Sequence, residues 1–175
     1  MWRDILKLYI TGPVGSGKTT LAKRLSRELF IDYFSLDEVV HPPVKTENMK
    51  RKKRTIQESM AVFNHILNNK SWIIEDVGRD YFKRGFEESD VIILLDIGQG
   101  IRTLRIFIRW LKQNFGIEKC GYKPRLRMLF KMFRWSREYT TGKTEMQKNL
   151  QYFKEKTIVV KNEKDIRLFL SEHQF

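Results

Sequence analysis

Hydrophobic residues follow two alternating patterns along the chain: short apolar runs and longer stretches with helical spacing. Short apolar or β-branched runs predict five strands, at residues 5–11, 32–36, 72–74, 91–95 and 157–160. Parallel strands that are buried on both faces carry such continuous runs, whereas strands with one solvated face alternate between apolar and polar residues. The pattern therefore predicts a sheet that is covered on both sides.

The segments between these runs have the period of an α-helix. Leu21, Leu25 and Leu29 recur at every fourth position and predict a helix over 18–30. Similar spacing predicts helices over 53–69, 99–115, 123–139, 144–155 and 163–170. Strands that alternate with helices fold as an α/β protein with a parallel sheet. Because no repeat or Gly/Ser-rich linker interrupts this order, residues 1–175 are predicted to form a single domain.

Composition places the chain among compact globular proteins. Its 175 residues include 41% hydrophobic and 31% charged side chains, which excludes a disordered or low-complexity chain. The one cysteine, Cys120, has no second thiol for a disulfide or a thiolate metal cluster. Since we find no long apolar run and no leader-like N-terminus, we expect a cytoplasmic protein with no membrane partner. We expect a monomer or a homodimer.

The excess positive charge lies in two blocks. Thirty-four Lys and Arg against twenty-one Asp and Glu give a net charge of +13. Residues 102–148 carry thirteen basic and three acidic side chains, a net of +10, and residues 41–60 carry a net of +4. Two basic blocks on a near-neutral body suggest two structures that face phosphate groups, although solvated helix faces would give the same pattern.

The turn after the first predicted strand satisfies the phosphate-loop pattern G-x-x-x-x-G-K-[ST]. Its residues are Gly12, Pro13, Val14, Gly15, Ser16, Gly17, Lys18 and Thr19, followed by Thr20. Glycines leave backbone N–H groups uncovered as a cradle for phosphate oxygens, and the helix that follows points its positive end at the same anion. Lys18 then reaches the terminal phosphates, and the Thr19 hydroxyl ligates Mg²⁺. This motif predicts a nucleoside-triphosphate site.

A second Gly-Lys-Thr, at residues 142–144, lacks the rest of the motif. The position five residues before Gly142 is Arg137 rather than glycine, and an Arg-rich helix precedes it instead of a strand. We therefore interpret this segment as a turn followed by the start of a helix.

Beyond the phosphate loop, the chain resembles the adenylate-kinase-like small-molecule kinases. Residues 72–79 resemble their strand, acid and arginine segment, residues 91–96 the next core strand and residues 158–162 the last strand. Arg105 and Arg109 stand where those kinases have two lid arginines. The resemblance implies a P-loop three-layer sandwich with a five-stranded parallel sheet in the order 2-3-1-4-5. It also implies ATP or GTP with Mg²⁺ as the donor, and a catalytic role for both arginines.

More narrowly, the chain resembles the bacterial DNA topology modulation proteins, a small adenylate-kinase-like group. The shared segments are residues 12–20, 33–38, 72–75 and 90–96, with a Cys-Gly beside an aromatic, Arg-rich helix over 120–139. The chain departs from the group by having Glu75-Asp76 in place of Asp-Gly, and His41 in place of an aromatic residue. Although the name of the group implies DNA, none of the shared motifs is a DNA-reading element.

The acceptor and the metal have their own candidate residues. Asp37 follows the second predicted strand, at the edge where open α/β sheets bind ligands. In kinases that resemble this chain, a carboxylate at this place binds the acceptor hydroxyl and takes its proton; a structural N-cap is the alternative. The resemblance further implies that Arg79 holds the phosphate of the acceptor. It gives either Glu75 or Asp76 a place in the Mg²⁺ shell through water, and leaves open which one.

The basic residues 102–148 are predicted to form a lid. Arg102, Arg105 and Arg109 share one helical face, where three like charges repel unless an anion joins them. Within residues 125–137, basic side chains alternate with aromatic and aliphatic ones. That pattern fits an amphipathic helix covering a triphosphate, and it also fits a surface that binds single-stranded nucleic acid. We favour the lid.

These features together predict a nucleoside-triphosphate-dependent phosphotransferase that acts on a nucleoside, a nucleotide or another small hydroxyl compound. Residues 41–70 are predicted as a helical insertion on the acceptor side, and its basic residues would border the acceptor pocket: Lys45, Lys50, Arg51, Lys52, Lys53 and Arg54. The alternatives are a nucleotide-regulated nucleic-acid-binding protein and a P-loop protein that binds nucleotide without turnover. Turnover of the nucleoside triphosphate that depends on a small acceptor and is unaffected by DNA would distinguish the phosphotransferase from both alternatives.

Overall fold

The computed structural model describes residues 6–43, 53–118, 124–142 and 144–172, and within them five strands form one parallel sheet. The strands are β1 Lys7–Thr11, β2 Tyr33–Ser35, β3 Trp72–Asp76, β4 Val91–Leu95 and β5 Thr157–Val160. They lie in the order β2-β3-β1-β4-β5, with all four neighbouring pairs parallel. The predicted fold class and strand order are thus confirmed.

Helices connect the strands and cover both faces of the sheet. They are α1 Lys18–Leu29, α2 Leu36–Val40, α3 Ile56–Leu67, α4 Lys83–Glu88, α5 Gln99–Asn114, α6 Leu126–Thr140, α7 Glu145–Leu150 and α8 Glu163–Glu172. Two 3₁₀ turns, Asp80–Phe82 and Gln151–Lys156, precede α4 and β5. Among the helices of the described residues, none combines the length and apolar character that a membrane crossing requires.

Each face of the sheet has its own hydrophobic core, because successive strand residues point to opposite sides. On one side, Leu8 and Ile73 pack with α1 and α8. On the other side, Tyr9 and Ile74 pack with α3 and α4, where Phe63 and the other large aromatic residues are buried. This division decides which polar side chains meet at the carboxyl edge of the sheet.

The structure differs from the sequence-based elements mainly in short helices. The helices α2 and α4, with five and six residues, were not predicted, because such lengths do not display a helical period. Strand β2 ends at Ser35, so Asp37 lies in the first turn of α2 and not at a strand end or as its N-cap. The helix predicted over 144–155 is divided into α7 and a 3₁₀ turn in which Phe153 has non-helical angles.

The second Gly-Lys-Thr segment is a turn and a helix start, as predicted. Gly142 follows the end of α6 with φ of +71°, and Thr144 forms a capping box with Gln147 at the start of α7. The remaining expectations for Cys120 and for the basic residues Lys45, Lys50, Arg51 and Lys52 fall outside the described residues.

Candidate nucleotide and acceptor site

The phosphate loop joins β1 to α1 and is lined by backbone. Gly12 and Gly15 have φ of +152° and +80°, which residues with a side chain rarely adopt. A Cβ at Gly12 would lie 2.7 Å from the carbonyl oxygen of Leu95, and one at Gly15 would lie 2.8 Å from that of Arg102. Both glycines are therefore required by the fold, and Gly17 directs the N-terminus of α1 toward the loop.

Lys18 is the first residue of α1 and curls back over the loop. Its Nζ donates hydrogen bonds to the carbonyl oxygens of Gly12 (2.9 Å) and Pro13 (3.1 Å). The side chain is almost fully buried, with Lys18 8% exposed. Burial lowers the pKa of Lys18, while the negative charges of Glu75 and Asp37 act against that shift. A charge kept inside the loop in this way is available to phosphate oxygens.

Glu75 joins the ends of β2 and β3 to the phosphate loop. Its Oε1 accepts hydrogen bonds from Thr19 Oγ1 (3.1 Å) and Ser35 Oγ (2.7 Å). Burial raises the pKa of Glu75, and the charge of Lys18 and the bond from Ser35 partly offset this. The hydroxyl and the carboxylate are the hard oxygen donors that Mg²⁺ prefers. The sequence had left Glu75 and Asp76 as alternatives for the metal shell.

Asp76 faces the opposite side of the sheet and has different partners. Its carboxylate accepts hydrogen bonds from the backbone N–H groups of Gly78 (2.7 Å) and Arg79 (2.6 Å) and forms an ion pair with the Arg79 guanidinium. Burial raises the pKa of Asp76, although the charge of Arg79 lowers it. Strand alternation thus sends Glu75 to the phosphate loop and Asp76 to the loop after β3.

Arg79 bridges two carboxylates. Besides Asp76, its guanidinium pairs with Asp37 on α2, whose side chain is 61% exposed. Burial acts to lower the pKa of Arg79, but the two carboxylates outweigh it and raise the pKa above its ordinary value. The acceptor side therefore presents an accessible carboxylate, that of Asp37. Arg79 orients this carboxylate, and the buried Asp76 holds Arg79 in place.

The three arginines of α5 occupy different environments, although the sequence groups them on one face. Arg105 Nη1 donates a hydrogen bond to the carbonyl oxygen of Ser16 in the phosphate loop, at 2.9 Å. Arg109 instead pairs with Glu118, with 2.9 Å between Nε and Oε1. The structure brings Arg105 to the loop, and it does not bring Arg109 there.

Arg102 is buried between α5 and α6 and is 1% exposed. Its Nη2 donates to Thr140 Oγ1 at 2.8 Å, and its guanidinium carbon lies 5.1 Å from the ring centroid of Tyr139. Burial lowers the pKa of Arg102, while Tyr139 and Asp96 act to raise it. In this structure the residue joins the two helices, so of the three arginines that were expected to share an anion only Arg105 lies at the phosphate loop.

Two contacts at the site escaped the sequence analysis. Ser35 shares the Glu75 carboxylate with Thr19, and its position at the end of a predicted strand could have revealed it. Met146 of α7 is 3% exposed, and its Sδ accepts a hydrogen bond from Thr11 Oγ1 at 2.9 Å. No local signal marks Met146, because its position depends on how α7 crosses the ends of β1 and β3.

The residues present fit a nucleoside triphosphate with Mg²⁺. A backbone cradle that Cβ atoms would fill, a buried lysine and a Thr–Glu oxygen pair are the donor types that such a group needs. Within the described residues the structure shows no group of three or more His, Cys, Asp or Glu around one point. Mg²⁺ does not need one, since it completes its shell with phosphate oxygens and water.

The fold and this loop define a P-loop nucleotide-binding protein. A family model described as an AAA domain matches residues 8–109, more than half of the chain. The chain belongs to this family. It is also 32% identical over 89 residues to a cytidylate kinase from Fervidobacterium nodosum, a match that covers 49% of this chain and 36% of that protein. The match thus spans about a third of the length of that relative.

Solved structures show the same fold in kinases. A shikimate kinase from Bacteroides thetaiotaomicron has a TM-score of 0.59 at 13% identity, with 97% of this chain and 99% of that chain covered. A sugar kinase from Janibacter sp. HTCC2649 has a TM-score of 0.52 at 17% identity, with 95% and 93% covered. At these identities the likeness concerns the fold, which is that of P-loop kinases.

Proposed function

We propose that this protein transfers the terminal phosphoryl group of ATP or GTP, with Mg²⁺, to a hydroxyl group of a small molecule. The observation that carries the proposal is that the phosphate loop contacts one buried acid through the Thr19–Glu75 hydrogen bond, while a second, exposed carboxylate, Asp37, is held by Arg79 close enough to act electrostatically on Lys18. Phosphoryl transfer depends on positioning and on neutralising charge rather than on covalent chemistry of the protein. The site supplies both functions.

Each residue has a distinct role in the proposed reaction. Lys18 and the loop N–H groups hold the donor phosphates, and Arg105 adds a positive charge beside Ser16. Thr19 and Glu75 would hold Mg²⁺, Glu75 through water, and the metal would neutralise charge between the phosphates. The loop and Lys18 thereby keep the terminal phosphoryl group oriented toward the acceptor side.

Asp37 is the proposed acceptor residue. The acceptor oxygen attacks the terminal phosphorus, the bond from that phosphorus to the ADP or GDP oxygen breaks, and the hydroxyl proton passes to the Asp37 carboxylate. The products are the nucleoside diphosphate, the phosphorylated acceptor and a proton that Asp37 releases to water. Arg79 keeps the Asp37 carboxylate oriented through their ion pair.

The pairing of Arg79 favours an acceptor that is bound through a hydroxyl and not through a phosphate. Asp37 and Asp76 together offset its positive charge, whereas an arginine that binds an acceptor phosphate needs its charge free. This favours a nucleoside or another hydroxyl compound over the nucleoside monophosphate that the name of the cytidylate kinase relative suggests. The narrower likeness to DNA topology modulation proteins is compatible with either acceptor.

An acceptor screen tests the proposed function. Purified protein is incubated with ATP·Mg²⁺ and with nucleosides, nucleoside monophosphates, sugars or hydroxy acids, and ADP formation is measured against an acceptor-free background. We expect at least one unphosphorylated hydroxyl compound to stimulate ADP formation, and Asp37→Asn to remove the stimulation. Stimulation by single-stranded DNA in place of any small acceptor would contradict the proposal and favour the nucleic-acid-binding alternative.

A further inference from the structure

The outer sides of α5 and α6 form an apolar surface that no described residue covers. This α5–α6 apolar face consists of Ile101, Leu104, Phe107 and Ile108 of α5 with Leu126 and Phe130 of α6. Spacings of three, four and seven residues place the side chains on one side of each helix. Their exposed fractions range from 41% for Ile108 to 65% for Phe130. Large apolar side chains that are exposed to this extent on neighbouring positions need an explanation.

A groove between the two helices connects the α5 part of this face, through Leu104 and Phe107, to α6. This open groove of about 620 Å³ joins α5 to α6, and its walls are Gln99, Gly100, Thr103, Leu104, Phe107 and Phe133. Trp110 Nε1 donates to the carbonyl oxygen of Pro124 at 2.9 Å. Together with the Arg102–Thr140 bond, this contact fixes the helices side by side. The face is therefore a built feature of the hairpin.

The polarity of α5 is opposite to that of an ordinary surface helix. Two of its three buried residues, Arg102 and Gln113, are polar and the third is Ile106, while most of its large apolar side chains point outward. A helix on a soluble domain normally buries its apolar stripe and exposes its polar side. Of the fourteen exposed large hydrophobic residues of the described chain, nine lie between positions 101 and 135. The exposure is thus concentrated here, whereas scattered cases elsewhere are normal.

Basic side chains border the apolar face. They are Lys112 of α5 with Arg127, Lys131, Arg134 and Arg137 of α6, all exposed. The acids of these two segments, Glu118 and Glu138, form ion pairs with Arg109 and Arg134. A positive rim around an apolar centre complements a surface that is anionic outside and apolar beneath. That description fits the boundary between headgroups and acyl chains in an anionic bilayer.

The other occupants fit this arrangement less well. Single-stranded nucleic acid binds where flat aromatic rings and positive charges share the centre of a surface. Here four of the six side chains of the face are aliphatic and cannot stack on bases, and only Phe107 and Phe130 are aromatic. A second copy of the chain would bring a like-charged rim against this one, and the resulting repulsion opposes association.

We propose that the α5–α6 apolar face docks the protein reversibly on an anionic phospholipid bilayer. The apolar side chains enter the boundary between headgroups and acyl chains, and the basic rim contacts the lipid phosphates. This docking needs no spanning helix, and it is an alternative to the sequence-based expectation that no membrane takes part. It is independent of the proposed phosphoryl transfer, because it uses none of the residues assigned to that reaction.

Vesicle sedimentation tests the proposal. The full chain is mixed with vesicles of phosphatidylcholine alone or with about a third phosphatidylglycerol, at low and high salt. We expect binding to the anionic vesicles only, with loss at high salt. The double variant Leu104→Gln, Phe107→Gln should bind at least about tenfold more weakly, because two large apolar side chains no longer leave water. Lys112→Gln, Lys131→Gln should weaken binding to anionic vesicles about tenfold.

The matched control is Arg167→Gln, Leu168→Gln on α8, which removes one exposed basic and one exposed apolar residue elsewhere. It should sediment like the unchanged protein, and circular dichroism should show all three double variants folded. Equal binding by the face variants and the unchanged protein would overturn the proposal, and so would a failure to bind either kind of vesicle. Dimerisation or oligonucleotide binding that Leu104→Gln, Phe107→Gln abolishes, without vesicle binding, would assign the face to another partner.

Discussion

The carboxyl edge of the sheet and the α5–α6 apolar face show opposite ways of preparing for a ligand. At the sheet edge, charged groups are buried and paired before any ligand arrives: Glu75 holds two hydroxyl donors, and Arg79 holds two carboxylates. On the helical face, apolar groups remain exposed within a basic rim. The first region is organised by internal hydrogen bonds, and the second is left for contact with something outside the chain.

The difference follows from the elements that supply each region. The carboxyl ends of parallel strands lie side by side at one edge of the sheet, so a few polar residues meet there in a small volume. The low dielectric constant of that volume strengthens each interaction between them. A helical hairpin has two sides and can bury only one of them on the domain. Changes at the sheet edge should therefore alter chemistry, while changes on the outer helical side should alter association.

The largest expected effect on chemistry comes from Lys18→Ala. We expect ATP affinity to fall about 100-fold or more, because the change removes the buried positive charge of the loop. Thermal unfolding should shift little, since Glu75 keeps its bonds from Thr19 and Ser35. Calorimetric titration with ATP·Mg²⁺ measures the loss, and Lys23→Ala on the exposed side of α1 is the control. Unchanged affinity in a folded Lys18→Ala protein would refute the phosphate-loop assignment.

Asp37→Asn should separate acceptor binding from donor binding. The amide cannot take the hydroxyl proton, so the acceptor-dependent kcat/KM should fall about 100-fold, while ATP affinity changes little. Steady-state kinetics with the acceptor found in the screen measures this, with Glu38→Gln on the same helix as control. A parallel loss of ATP affinity would show that Asp37 acts on the donor side instead.

Glu75→Gln and Asp76→Asn should distinguish the two neighbouring acids. The Mg²⁺ concentration for half-maximal ATP binding should rise about tenfold in Glu75→Gln, because the carboxylate that is proposed to hold the metal through water loses its charge. Asp76→Asn should leave the Mg²⁺ dependence in place and lower stability by about 1–3 kcal/mol, since Arg79 loses a buried partner. Metal titration and urea unfolding provide the two measurements. The reverse assignment of effects would make Asp76 the metal acid.

The two exposed arginines of α5 should have the smallest effects, because Arg105 contacts the loop through one carbonyl and Arg109 contacts Glu118 instead of the loop. We expect Arg105→Ala to lower ATP affinity about fivefold. Arg109→Ala should lower it less than about twofold, because it breaks only the ion pair with Glu118. Hydrogen exchange over 102–118 and 124–142 should slow when ATP·Mg²⁺ binds, if the predicted lid closes. Equal effects of the two arginines, or no added protection, would count against a lid that acts through Arg105.

Local sequence patterns determined the phosphate loop, the long helices and the positions of the strands, whereas the expected strand order rested on the resemblance to adenylate-kinase-like kinases. The loop motif encodes its own geometry, because glycines at fixed spacing are needed wherever backbone must approach phosphate. The strands were predicted because short continuous apolar runs are typical of buried parallel strands. These features depend on residues close together in the chain, so they can be predicted without knowledge of the packing.

Tertiary packing decided which acid serves which side. Glu75 and Asp76 are adjacent in sequence and chemically similar, and strand alternation requires them to point to opposite faces. Only the docking of α1 on the face that carries Ile73 determines that Glu75 meets Thr19. The alternation could be predicted from the sequence, but not the face that α1 covers.

The same limit applies to α5. Helical spacing places Arg102, Arg105 and Arg109 together on a wheel, but the contact with α6 buries Arg102, while the phosphate loop binds Arg105 and Glu118 binds Arg109. The apolar stripe of α5 also has the spacing of a buried face, yet it lies outside. Periodicity reports that a helix has two sides, and only the packing of the domain decides which of them faces inward.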